Sequence, residues 1–76
     1  MKNELVLDVR ELNGPFPILR TEKLLQKMFP GQTVRVVTTD PGSATDFQSY
    51  CNETGNELVE CSAFGDCYYY RIQKKK

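Results

Sequence analysis

The stretch Glu57-Leu58-Val59-Glu60-Cys61-Ser62-Ala63-Phe64-Gly65-Asp66-Cys67-Tyr68-Tyr69-Tyr70-Arg71-Ile72-Gln73 decides the fold. Gly65-Asp66 reads as a two-residue hairpin turn between strands Glu57–Ala63 and Cys67–Gln73. Such a turn pairs Phe64 with Cys67, Ala63 with Tyr68, Cys61 with Tyr70 and Val59 with Ile72. Side chains alternate along a strand, so Val59, Cys61, Ala63, Tyr68, Tyr70 and Ile72 share one largely apolar face. Glu60, Ser62, Tyr69 and Arg71 take the other. One apolar face needs one covering layer, and the chain upstream must supply it.

It supplies two helices. Leu5-Val6-Leu7, closed by Asp8, reads as a first strand, and Asn13-Gly14-Pro15-Phe16-Pro17 is a loop running into a helix. Proline suits a first helical turn, whose amide hydrogens lack intrahelical partners, and Asn13 or Gly14 is the expected cap. The helix is expected from Pro17 to Phe29, with Ile18, Leu24, Leu25 and Met28 inward and Arg20, Lys23 and Lys27 outward. Pro30-Gly31 ends it. Thr33–Thr39 is β-branched almost throughout and reads as a strand, stopped by Asp40-Pro41-Gly42. Ser43 to Asp46 resembles a capping box for a second helix, which carries Phe47, Tyr50 and Cys51 on one face and ends across Asn52 to Gly55. The order is β-α-β-α-β-β. The expected fold is α+β, a two-layer sandwich with both helices on one face of a four-stranded mixed sheet and the other face partly open. The Lys-rich tail, residues 73–76, is expected to be disordered.

Composition narrows the function. Seventy-six residues make one domain, which buries roughly 60 % of its unfolded surface and leaves no room for a roofed catalytic cavity. Ten Lys+Arg balance ten Asp+Glu, without the basic excess of a nucleic-acid or membrane binder. The absence of His removes the commonest general base and metal ligand. Cys51, Cys61 and Cys67 lack C-x-x-C spacing, so neither a metal nor another cofactor is expected. The start, MKNELVLDVR, places charges through any h-region, and no apolar run approaches the roughly 18 residues of a membrane span. A cytoplasmic setting with reduced thiols is expected. In the hairpin register Cys61 faces the core and Cys67 the opposite side, so the two form no internal disulfide. Cys51 is read as a small core residue. Cys67, beside the turn with only Arg71 as a cation on its face, is the candidate exposed thiol.

A resemblance then becomes specific. Leu7-Asp8, Leu12-Asn13-Gly14-Pro15-Phe16-Pro17, Pro30-Gly31, Asp40-Pro41, Asp46, Tyr50-Cys51 and Glu57-Leu58-Val59 resemble the TusA/SirA family of small sulfur carriers, essentially without gaps from Leu7 to Arg71. The resemblance implies the same β-α-β-α-β-β sandwich. It also implies a persulfide accepted from a cysteine desulfurase on the cysteine of a Cys-Pro-x-Pro motif, then relayed, as in thiolation of the tRNA wobble uridine. Pro15 and Pro17 match the motif prolines, but Gly14 occupies the cysteine position. Glycine carries no sulfur. The chain is therefore sulfurtransferase-like in family without the family's nucleophile.

Two function classes follow. One is a sulfur-trafficking protein that docks, as a monomer, on a desulfurase or relay protein through Asn13, Gly14, Phe16, Arg20, Asp40 and Asp46. The other is a non-catalytic protein- or small-anion-binding regulatory module. RNA binding through Arg20, Lys23 and Lys27 ranks last, because three cations on a neutral domain gain little phosphate affinity.

Overall fold

β2 (Thr33–Thr38) is the spine of the computed structural model, which describes residues 4–76. Its Val34, Val36 and Thr38 are fully buried, while Arg35 between them faces water. β1 (Leu5–Asp8) pairs with it in parallel, Leu5 opposite Val34 and Leu7 opposite Val36. On its other side β4 (Cys67–Gln73) runs antiparallel, Val36 opposite Tyr70, and β3 (Glu57–Phe64) completes the order β1-β2-β4-β3. α1 (Phe16–Leu25) and α2 (Ser43–Thr54) complete the expected sequence of elements. The core joins Leu25 and Met28 to Phe47 and Cys51, packed on Val9, Val34, Val36, Tyr70 and Ile72. The Phe47 and Tyr70 rings stack with centroids 4.7 Å apart. Opposite the core, Val6 and Arg35 are open to solvent.

The hairpin turn is as expected, with positive φ at Gly65 alone, as in a type II′ turn. Phe64–Cys67, Ala63–Tyr68 and Cys61–Tyr70 pair as read, but the register shifts between Leu58 and Glu60. Leu58, not Val59, therefore stands opposite Ile72. Val59 is the extra residue of a bulge, and it is 44 % exposed.

Cys61 and Ala63 are exposed, correcting the core expectation. They lie on the helix side by alternation, but β3 is an edge strand, and Tyr70 and Ile72 of inner β4 take the buried positions.

Local ends differ too. α1 begins at Phe16 with Pro15 as cap and no side-chain cap bond, so neither Asn13 nor Gly14 serves. It stops at Leu25, short of Phe29, because Lys27 and Met28 donate to carbonyls three residues back and the chain tightens. Phe29 precedes a proline, which disfavours helical backbone there.

α2 is capped by Gly42 and not by Ser43, whose hydroxyl is buried and lies 2.7 Å from the Tyr70 hydroxyl. The turn before it is held instead by Asp40, whose Oδ1 accepts from the Gly42 amide at 3.0 Å. Nor is the tail free: Gln73 ends β4, the Gly31 amide donates to the Lys74 carbonyl, and the Lys74 amide donates to Gln32.

Candidate functional site

Two prolines set the entry to α1. Pro15 offers its carbonyl to the Leu19 amide at 3.0 Å, and Pro17 is buried, seating the first turn on the core. Just before them the chain turns at Gly14 with φ +66°, a left-handed conformation that favours glycine. A Cβ built there would meet no heavy atom within 4 Å. Position 14, where the resemblance expects the motif cysteine, is thus an exposed corner in front of a helix N-terminus, whose dipole favours negative charge. Phe16 and Leu19 continue it as a bare apolar ridge, 56 % and 52 % exposed.

The ridge separates two grooves. Between the helices, Gly14, Pro15, Ile18 and Leu19 face Asp46, Ser49, Tyr50 and Glu53 across a groove of about 510 Å³. On its other flank Leu12, Phe16, Leu19, Arg20 and Lys23 line a second of about 330 Å³. Of the residues expected to contact a partner, Gly14 and Asp46 therefore share one groove, and Phe16 and Arg20 the other. Asn13 is exposed at the same corner and accepts the Phe16 amide through its carbonyl. Asp40 lines neither groove, being engaged in the turn before α2. Sequence reasoning missed Ile18, Leu19, Tyr50 and Glu53 as groove residues. The spacing of Asp46, Tyr50 and Glu53 on one helical face was the available signal.

The three thiols differ sharply. Cys51 is 3 % exposed in the core, and burial raises its pKa to about 11. Cys61 is exposed on edge strand β3. Cys67 lies on the open face of the sheet, and the cation beside it is Arg10, where the sequence pointed to Arg71. Val9 donates to the Val37 carbonyl and Thr39 to the Arg10 carbonyl, carrying Arg10 past the end of β2 toward Cys67. The Cys67 sulfur pushes the Tyr69 phenol above its ordinary value by hydrogen bonding.

Arg10 itself is clamped by Asp8, Nη2 to Oδ2 at 2.7 Å, and that pairing holds the Asp8 carboxyl below its usual value. Arg71 is held by Glu4 at 3.1 Å and by Glu60 at 3.6 Å. Among the described residues no group of three Cys, Asp or Glu side chains could hold a metal ion. No helix among them is long and apolar enough to cross a membrane.

With this geometry in place, known proteins give a consistent comparison. A family model described as sulfurtransferase TusA matches residues 5–74. A protein of Allochromatium vinosum named sulfur carrier protein TusA is 46 % identical over 68 residues, covering 90 % of each chain. The sulfur carrier protein TusA of Pseudomonas aeruginosa is 33 % identical over 72 residues, covering 95 % of this chain and 91 % of its own.

Proposed function

The chain belongs to the TusA family of sulfur carriers, and on that premise we propose that it docks in sulfur trafficking without carrying sulfur at the family's cysteine position. One observation carries this reading: position 14, at the exposed corner before α1, is glycine. Persulfide transfer needs an acceptor thiolate that attacks the donor's outer sulfur. The donor's S–S bond breaks, a new S–S bond forms on the acceptor, and the donor leaves as a thiolate. Gly14 has no side-chain atom to take part.

The surroundings of that corner keep the build of a contact surface. Phe16 and Leu19 are bare, and the grooves beside them hold Gly14 and Asp46 on one side and Arg20 on the other. Exposed apolar side chains rimmed by charge are the usual make-up of a protein-binding patch. Asn13, Gly14, Phe16, Arg20 and Asp46 are the contacting residues in this reading, and Asp40 positions the start of α2. The partner is a cysteine desulfurase or a relay protein, met in the cytoplasm by a monomer, in a pathway such as tRNA thiolation. The small-anion alternative is disfavoured because, among the described residues, the groove beside Gly14 is lined by Asp46 and Glu53 and by no cation.

Competition tests the reading. A Gly14→Cys variant should accept sulfur from a cysteine desulfurase supplied with cysteine. Excess natural chain should then slow that loading, because it occupies the same partner surface without being consumed. Loading that proceeds unchanged under excess natural chain would remove the docking role. So would a variant that never loads, together with a natural chain that does not co-elute with the desulfurase.

A further inference from the structure

The groove between α1 and α2 has a charge character that its chain as a whole lacks. The protein is neutral, yet among the described residues the groove is lined by the carboxylates of Asp46 and Glu53 and by no Lys or Arg. Glu22 adds to them: together with burial, its negative charge pushes the Tyr50 phenol above its ordinary value. The floor is apolar, with Ile18, Leu19 and the Tyr50 ring. The cations of α1, Arg20 and Lys23, line the other flank of the ridge, where no carboxylate among the described residues lines the groove. The surface is therefore polarised across Leu19, which borders both grooves.

We infer that the α1–α2 groove seats a protein segment presenting an apolar side chain flanked by Lys or Arg. The inference rests on the docking role proposed above and specifies the chemistry of the partner. A hydrocarbon side chain of the segment covers Ile18 and Leu19, and its cations meet Asp46 and Glu53. A polyanion such as RNA is repelled from the same place. Charge at a rim acts mainly on orientation and encounter, so the polarity also fixes which way the partner lies.

The test uses the full chain, isotope-labelled for amide NMR, and two blocked probe peptides, Arg-Leu-Arg-Leu-Arg and Glu-Leu-Glu-Leu-Glu. The arginine peptide should shift the amides of Ile18, Leu19, Ser49 and Tyr50, and the glutamate peptide should not. Asp46→Asn with Glu53→Gln should weaken the arginine peptide about fivefold, as expected for two exposed ion pairs. The inference is overturned by equal shifts from both peptides, by shifts confined to other faces, by no shifts, or by a double variant that binds as before. A chain that competes for the desulfurase yet ignores the arginine peptide keeps its docking role and loses this seat. One that binds the peptide without competing keeps the seat and loses the role.

Discussion

Gly14 stands at φ +66° with open space where a side chain would project, so the obstacle to cysteine there is backbone conformation and not crowding. A non-glycine residue in left-handed backbone costs about 1 to 2 kcal/mol. Gly14→Cys should therefore lower unfolding stability by about 1 kcal/mol in urea titration, and an unchanged midpoint would mean that the turn had reshaped. The introduced thiol would face a helix N-terminus, so alkylation should reach half-maximal rate at lower pH than for a free cysteine in solution.

Cys51 behaves oppositely. Its folded pKa of about 11 lies above the ordinary thiol value of 9.0, because burial favours the neutral form. The folded state then holds a proton that the unfolded state has lost, so this contribution is complete below about pH 9 and disappears as pH rises through 11. The full effect is about 2 to 3 kcal/mol. A Cys51→Ala variant should lose less stability between pH 8 and pH 11 than the natural chain, and parallel pH profiles would contradict the assignment.

Within the elements, the buried hydroxyl pair of Ser43 and Tyr70 ties the start of α2 to the centre of β4 at 2.7 Å. Ser43→Ala leaves the Tyr70 hydroxyl unpaired and should cost about 1 to 3 kcal/mol. Ser43→Ala with Tyr70→Phe should cost less than the sum of the two single changes. Strict additivity in a denaturant cycle would show that the pair is uncoupled.

This pair also marks where the sequence stops being legible. Ser43 three residues before Asp46 looks like a capping box, and only the position of Tyr70 across the core reveals its use. The hairpin turn and most of its register follow from Gly65-Asp66 and alternation, both local. The bulge at Val59 does not, since nothing local distinguishes one slipped residue in a mixed apolar-polar strand. The error at Cys61 has a longer-range cause. Alternation assigns a face, but burial on that face depends on strand order, and β3 is an outer strand.

Across the whole molecule, ends that look loose in sequence are tied. The Lys74 ammonium donates to the Met28 carbonyl at 2.9 Å, just beyond α1, and Asn56, beyond α2, accepts the Lys75 amide at 2.9 Å. A cation near the C-terminal end of a helix is favoured by its dipole. Lys74→Ala should destabilise by about 0.5 to 1 kcal/mol, measured by thermal unfolding at low salt, with the difference shrinking as salt rises. A difference that persists at high salt would point to lost packing instead.

The exposed corner before α1 was legible where local chemistry defines it, in Gly14 between Asn13 and Pro15. The groove was not, because it needs Ile18 and Leu19 of one helix set against Asp46 and Glu53 of another, a relation no single periodicity contains. Intact mass spectrometry of the natural chain, after incubation with an active cysteine desulfurase and cysteine, tests the central claim most directly. The mass should remain unchanged while Gly14→Cys, treated alongside, gains one sulfur atom. A stable gain of one sulfur by the natural chain, released by reductant and abolished by Cys67→Ser or Cys61→Ser, would show that another thiol has taken over the carrier's task.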